Sequence, residues 1–231
     1  MMTMLQILLD LLFPRRSLTG GEGEFITESE LRSLRSAPVI LETSQLRLQK
    51  LEWIDRIVAA AHYDAAPLLH RAIHTFKYRG VRGMGEALGD ILVAASHASS
   101  FLPPDRNEGE VNASPVLCPV PLHWIRKFSR GFNQAEILAR AVGKKRGWEM
   151  RELLRRTRWT GSQVGRKRVE RLQGVRSAFA MERRRKSGQE IPECVILVDD
   201  LSTTGATLDA CAKELKKSGT KRVEGLVIAL G

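Results

Sequence analysis

Residues 196–208, ILVDDLSTTGATL, hold the side chains with the most readable chemistry in the chain. An apolar run ends in two carboxylates, Asp199 and Asp200, and a loop of hydroxyls and glycine then leads into a helical pattern. In an open parallel sheet, ligands bind outside the carboxyl ends of the strands. A loop at a helix N-terminus offers free backbone N–H groups and the positive end of the dipole, which favours a phosphate. Thr203, Thr204 and Thr207 add hydroxyl donors, and Gly205 allows close backbone approach. Two adjacent acids suit a diol, since each carboxylate can accept from a ribose hydroxyl. Two aspartates alone would more simply be ordinary turn and capping residues. The whole combination describes a clamp for a ribose 5-phosphate.

The elements that must hold this loop follow from periodicity. Cys194–Val198 is the continuous apolar run of a parallel strand buried on both faces. Thr207–Ser218 reads as a helix, with Lys213, Lys216 and Lys217 towards its C-terminus and Gly219 positioned to end it. Val223–Leu230 is the next strand, which makes 194–230 one βαβ unit with a right-handed crossover. Upstream, Leu68, Leu69, Ile73 and Phe76, then Met84, Leu88, Ile91 and Leu92, recur at helical spacing. A break at 78–83 separates the two helices. Residues 36–65 are expected to hold one or two strands, from the Leu-Arg-Leu alternation at 46–48 and the run 54–61. Residues 99–115 read as a solvent loop, Val116–Val120 as a short buried strand stopped by prolines, and 133–145 as a helix.

The chain has 231 residues, 43% of them hydrophobic and 27% charged, which excludes a disordered or fibrous protein. The net charge of +11 favours polyanionic partners such as phosphates, nucleotides or nucleic acid. Lys144–Lys186 alone holds 16 basic and four acidic residues, so this one segment carries the whole imbalance. Three scattered cysteines, Cys118, Cys194 and Cys211, suit neither a disulfide framework nor a zinc knuckle. Cys118 and Cys194 are expected to be buried reduced thiols, in keeping with a reducing, cytoplasmic compartment. The apolar start is interrupted by Asp10 and lacks a basic leader and a cleavage site, so it is expected to be a short packed helix, with a membrane-surface anchor as the lesser alternative, rather than an export signal or membrane span.

Several blocks, LLFPRR (11–16), FKYRG (76–80), PVPL (119–122), RGFNQ (130–134) and the Asp-Asp loop, resemble the ComF/GntX family of type I phosphoribosyltransferase-like proteins. The resemblance implies an α/β fold with a central, mostly parallel sheet flanked by helices and covered by a hood. Residues 1–50 would form an N-terminal helix and a degenerate zinc-ribbon-like segment. Residues 51–231 would form the phosphoribosyltransferase-like domain, with the basic stretch of about 144–186 as its hood. By the same resemblance Asp199 and Asp200 would hold ribose hydroxyls, and Ser202, Thr203, Thr204, Gly205, Ala206 and Thr207 would cradle the 5′-phosphate. Pro119, Val120, Pro121 and Leu122 would form the pyrophosphate loop, with Arg126, Lys127 and Arg130 as cationic partners. Lys77 and Arg79 are further anion contacts or else a solvated helix end. Arg156, Thr160, Gln163 and Arg171 fall at patterned hood positions.

Two departures stand out. The family's zinc ribbon begins after the Phe-Pro-Arg-Arg block, but here Ser17 and Gly20 occupy the first cysteine pair's places, so no zinc is expected. Gly174 stands where the hood pattern has Asn. The implied ligand is phosphoribosyl pyrophosphate with Mg²⁺ bridging pyrophosphate and ribose hydroxyls. Transfer of the phosphoribosyl group is the implied reaction. No general base is readable, since His123 is a lone histidine, and the acceptor is not readable either. The family's link to DNA uptake in natural competence leaves two other classes open. One is a single-stranded DNA-binding accessory protein using the basic segment, with Trp148, Trp159 and Phe179 as its only stacking candidates. The other is a non-catalytic phosphoribosyl-ligand sensor. Partnership with DNA-uptake proteins and self-association as a homo-oligomer are open expectations from the sequence.

Overall fold

A strand with no polar face must lie inside a sheet, and the chain has two long ones, β6 (Cys194–Ser202) and β7 (Arg222–Leu230). The computed structural model describes residues 17–21, 25–35, 37–65, 67–78, 84–98, 114–122, 131–157, 178–182 and 190–231. In it β6 and β7 pair in parallel, with Val198 opposite Leu226. β2 (Arg56–His62) lies beside β7 and β3 (Val116–Pro119) beside β6, both parallel. β1 (Val39–Leu41) closes one edge antiparallel to β2. The sheet order is β1–β2–β7–β6–β3. The expected α/β architecture with a mostly parallel central sheet is therefore present.

Helices cover both faces. On one, α3 (Pro67–Tyr78), α4 (Met84–Ala98) and α5 (Gln134–Arg146) pack Phe76, Leu88 and Leu138 over Val58, Ile196 and Val198. On the other, α6 (Ala206–Lys217) packs Leu208 and Leu215 over Ile57, Val195 and Leu197. Beside it lies a two-stranded ribbon, β4 (Leu154–Arg156) antiparallel to β5 (Phe179–Met181). Each fully buried Leu, Ile or Phe side chain contributes about 1.5–3 kcal/mol of transfer free energy. Two shorter helices, α1 (Glu28–Leu34) and α2 (Thr43–Leu48), precede β1 and β2 respectively.

This layering positions the site. The neighbours β3 and β6 send their following helices, α5 and α6, to opposite faces of the sheet. A crevice must then open between their carboxyl ends, the switch point where ligands bind in such sheets. Close packing keeps α5 in place. A Cβ on Gly89 of α4 would fall 2.5 Å from the Ala141 Cβ of α5, and one on Gly85 would fall 2.2 Å from Ile137 Cγ2.

Three expectations need correction. Residues 46–48 belong to α2, where Leu46 alone of the helix is buried. Three alternating residues cannot separate a strand from one turn of helix. β6 runs on through both aspartates to Ser202, because its pairing with β7 continues to Leu230. Cys194, at the start of β6, is half-buried, whereas Cys118 and Cys211 are buried, and all three thiols are free. Of the basic segment, Lys144–Arg146 end α5 and Arg155 and Arg156 belong to β4. Residues 158–177 and 183–189 lie outside the described residues, as do 1–16 and 99–113.

Candidate functional site

Asp199 and Asp200 close the buried part of β6 at its carboxyl edge, and strand alternation turns them to opposite faces. Asp200 is buried on the α3 side, where its Oδ1 lies 2.9 Å from Lys77 Nζ. The Lys77 side chain is only 18% exposed, so it is an ion-pair partner rather than a solvated helix end. Asp199 is half-buried on the α6 side, and its Oδ1 accepts the Asp200 amide at 2.8 Å. Burial and then the neighbouring Asp200 charge push its carboxyl up to about 7, against the pull of Lys77, that amide and Arg156 of β4. Two acids and two cations thus meet across one crevice.

The crevice holds a cavity of about 180 Å³. Lys77, Asp199, Asp200, Thr207 and the loop residues Val120, Pro121 and Leu122 all line it, so the structure brings together expected residues from three separate sequence blocks. Pro119 lines an adjoining cavity of about 190 Å³. The two chambers share Pro121, Leu122, Asn133 and Arg156 as a common wall.

The turn after β6 is shaped for an anion. Gly205 takes φ +71° as the N-cap of α6 and contributes no capping side chain. A Cβ there would also meet Leu51 at 2.4 Å. The first intrahelical bond runs from the Asp209 amide to the Gly205 carbonyl, which leaves the amides of Ala206, Thr207 and Leu208 as first-turn donors. Thr204 Oγ1 approaches the Ala206 amide only at 3.5 Å, and Thr203 is exposed. Ser202 differs from its neighbours, because its hydroxyl is buried and meets no partner among the described residues. Arg79, Arg126, Lys127, Arg130 and His123 lie outside the described residues, as do Thr160, Gln163, Arg171 and Gly174.

Residues of the RGFNQ block do more than mark a resemblance. Asn133 caps α5 by accepting the Ala135 amide at 3.2 Å, and its Nδ2 donates to the Val120 carbonyl at 3.2 Å. Gln134 Nε2 donates to the Lys77 carbonyl at 3.4 Å. One helix N-terminus therefore ties down both the loop after β3 and the end of α3. Sequence reading did not give these roles. An Asn before a helix signals a cap, but its second bond spans 13 residues.

Two stacking candidates are withdrawn. Trp148 is buried, with the Arg146 guanidinium 4.3 Å from its ring centroid, and Phe179 is buried beneath Arg156. Trp159 lies outside the described residues.

A sheet parallel but for one edge strand, with paired acids and a hydroxyl-rich turn at its carboxyl edge, defines a class, the mostly parallel α/β proteins with a ligand crevice at the strands' carboxyl ends. Several known proteins are similar to the chain. Competence protein F of Haemophilus influenzae is 28% identical over 181 residues, covering 76% of this chain and 72% of that protein. Competence protein ComFC of Streptococcus pneumoniae is 38% identical over 105 residues, or 46% of this chain and 43% of that one. DNA utilization protein YhgH of Escherichia coli O6:H1 is 29% identical over 186 residues, covering 77% of this chain and 73% of that protein. Over about three quarters of its length the chain is thus similar to proteins named for competence and DNA utilization. No family model matches it. Among solved structures, the allosteric regulatory enzyme of purine biosynthesis aligns with 64% of this chain and 26% of its own, at 20% identity and a TM-score of 0.39.

Proposed function

We propose that the protein binds phosphoribosyl pyrophosphate, or a related ribose 5-phosphate ligand, in the crevice between β3 and β6. The observation carrying this reading is the joint placement of Asp199, Asp200 and the open first turn of α6 on one cavity. The α6 amides and the hydroxyls of Thr203, Thr204 and Thr207 would take the 5′-phosphate. The two acids would accept from the ribose hydroxyls. The loop 119–122, fixed by Asn133, would face the pyrophosphate.

The donor set suits Mg²⁺. Asp199, Asp200 and Thr207 offer oxygen donors only, and no group of three or more His, Cys, Asp or Glu able to hold a metal occurs among the described residues. An ion here would draw most of its ligands from substrate and water, as Mg²⁺ prefers. When bound it would neutralise pyrophosphate charge, with Asp199, Asp200 and Thr207 as the residues placed to hold it or its water ligands. In the implied transfer the bond from the anomeric carbon to the pyrophosphate oxygen breaks as the acceptor nucleophile bonds to that carbon. The electron pair leaves with pyrophosphate, through an oxocarbenium-like transition state of the glycosyl-transfer kind. The chain's own work is to hold the sugar, orient the leaving group and keep water out with the ribbon β4–β5.

Relatives named for competence and for DNA utilization favour a role linked to competence or DNA utilization, and a cytoplasmic location is part of this proposal. Direct single-strand binding is the weaker form of that idea, since Trp148 and Phe179 are buried and unavailable for base stacking. Among the described residues no helix is long and apolar enough to cross a membrane.

Calorimetric titration of phosphoribosyl pyrophosphate with Mg²⁺ into the wild type and Asp200→Ala tests the reading. Saturable binding abolished by the substitution is expected, and an assay for released pyrophosphate then separates an enzyme from a sensor. Salt-dependent DNA binding without ligand affinity, unchanged in Asp200→Ala, would overturn it.

A further inference from the structure

We infer that Lys77 is a built-in counter-ion that closes the acid pair at rest, so that the clamp refuses bare divalent cations. Only the preference for a pyrophosphate-bearing ligand rests on the proposed ligand reading. Charged groups face the acid pair from two elements. From α3 comes Lys77, 2.9 Å from Asp200 Oδ1, and from β4 comes Arg156, whose charge acts on Asp199. From α6, Thr207 contributes only a neutral hydroxyl to the same cavity. Although they leave opposite faces of β6, Asp199 and Asp200 both line the same cavity, and without Lys77 their oxygens would offer a divalent cation two acidic ligands there.

The ammonium sits where such a cation would need to approach. Both partners are largely withdrawn from water, with side chains 18% and 9% exposed, so the pair is weakly screened. Lys77 is also held from behind, because Gln134 donates to its carbonyl and Phe76 beside it is fully buried. Its backbone is therefore anchored while its side chain, with four rotatable carbons, can swing.

A cation or a ribose diol that takes Asp200 must displace the ammonium, which then needs another acceptor. A ligand carrying pyrophosphate at the anomeric carbon supplies one within the same cavity. Ribose 5-phosphate, with only a hydroxyl at that carbon, does not. Lys77 thereby acts as a specificity residue, which admits an anion-bearing ligand and turns away both a lone cation and a sugar phosphate that lacks the second anion.

The test uses Mn²⁺ as a paramagnetic probe with the full chain, in the wild type, Lys77→Met and Lys77→Arg. An opposite charge at this range moves a carboxylate's proton affinity by about ten-fold or more, so a comparable or larger factor is expected for a divalent ion. Free-ion titration followed by electron paramagnetic resonance should show weak or no binding to the wild type and Lys77→Arg. Binding at least ten-fold tighter is expected for Lys77→Met, with thermal melts confirming that all three proteins fold. Equal Mn²⁺ affinity in Lys77→Met and the wild type, including none in either, overturns the inference. Calorimetry with ribose 5-phosphate and with phosphoribosyl pyrophosphate forms a second arm. The wild type should prefer the pyrophosphate-bearing ligand, and Lys77→Met should lose most of that preference. If Mn²⁺ behaves as expected while neither sugar binds any form, the counter-ion role stands and the proposed ligand alone fails.

Discussion

Phe132 rests its ring against Phe76 with centroids 5.9 Å apart and planes at 49°, and the residues that follow each of them line the same cavity. Phe76 is fully buried and Phe132 nearly so. This aromatic contact joins α3 to the start of α5 and so sets how far Lys77 stands from Asn133 and Gln134. Phe132→Ala is expected to cost about 3 kcal/mol, the lower end for removing a buried Phe, read as a lower denaturation midpoint. Phe132→Leu keeps most of the apolar contact and should cost about 1 kcal/mol. Its ligand affinity should nevertheless fall, because the polar groups beyond the ring shift. Unchanged affinity in Phe132→Leu would mean that the pair is only core.

The cap itself makes a separate prediction. Asn133→Ala removes the bond to the Ala135 amide and also the restraint on the Val120 carbonyl. Losing an N-cap of this kind costs about 1 kcal/mol, or roughly 2–4 °C in a chain of this size. Asn133→Asp keeps the acceptor but not the donor. It should recover most of the stability and little of the ligand affinity, which separates capping from loop positioning in one calorimetric comparison.

Helix and strand periods reveal the frame of this site but not its pairings. The runs at 194–198 and 223–230, and the helical spacings of α3, α4, α5 and α6, mark where the sheet and its layers lie, and the Asp-Asp turn could be assigned to a carboxyl edge. Lys77 and Asp200 are 123 positions apart in the sequence, and no local pattern announces that they meet. The same holds for Asn133 and Val120. The ribbon β4–β5 brings residues 154–156 against 179–181, three residues each. That is too short for alternation to show, and it lies inside a charge-rich stretch that reads as solvated. Buried polar contacts over long sequence distances are the part that hydrophobic periodicity does not encode.

Asp199 sets a pH dependence. Its folded-state carboxyl titrates near 7, well above the ordinary value of 3.8, through burial and then the Asp200 charge. Between those two values the folded chain keeps a proton that the unfolded chain has released. Stability therefore falls as pH rises through that window and levels off above about 7. Asp199→Asn removes the penalty. It should gain about 1 kcal/mol at pH 8, or roughly 2–4 °C, with the gain vanishing towards pH 4. Ligand binding should show the opposite slope, because a diol or a cation favours the charged carboxylate. Affinity rising from pH 6 to 8, with proton release seen as a buffer-dependent binding enthalpy, is the expected result.

Glu30 governs the other end of the chain and has the opposite sign. Its carboxylate accepts from the Thr19 amide and hydroxyl, both at 2.7 Å, and from the Thr27 amide at 2.8 Å. Burial alone would raise its pKa, but the Thr27 and Thr19 donors and the Ser17 hydroxyl outweigh it and bring the group down to about 2. These bonds close the Ser17–Gly21 turn onto α1 at the place where a zinc ribbon's first cysteine pair would otherwise stand. The stabilisation is complete above the ordinary carboxylate value of 4.5 and is lost as pH falls towards 2. Glu30→Gln keeps one acceptor and adds a donor facing donors, so it should cost on the order of 2 kcal/mol at pH 7 and flatten the acid limb of the stability curve. A chelator should leave the wild-type melting temperature unchanged, because the turn is held by a carboxylate. A melting temperature that drops on chelation, with recovery on adding zinc, would show that a metal holds this segment instead.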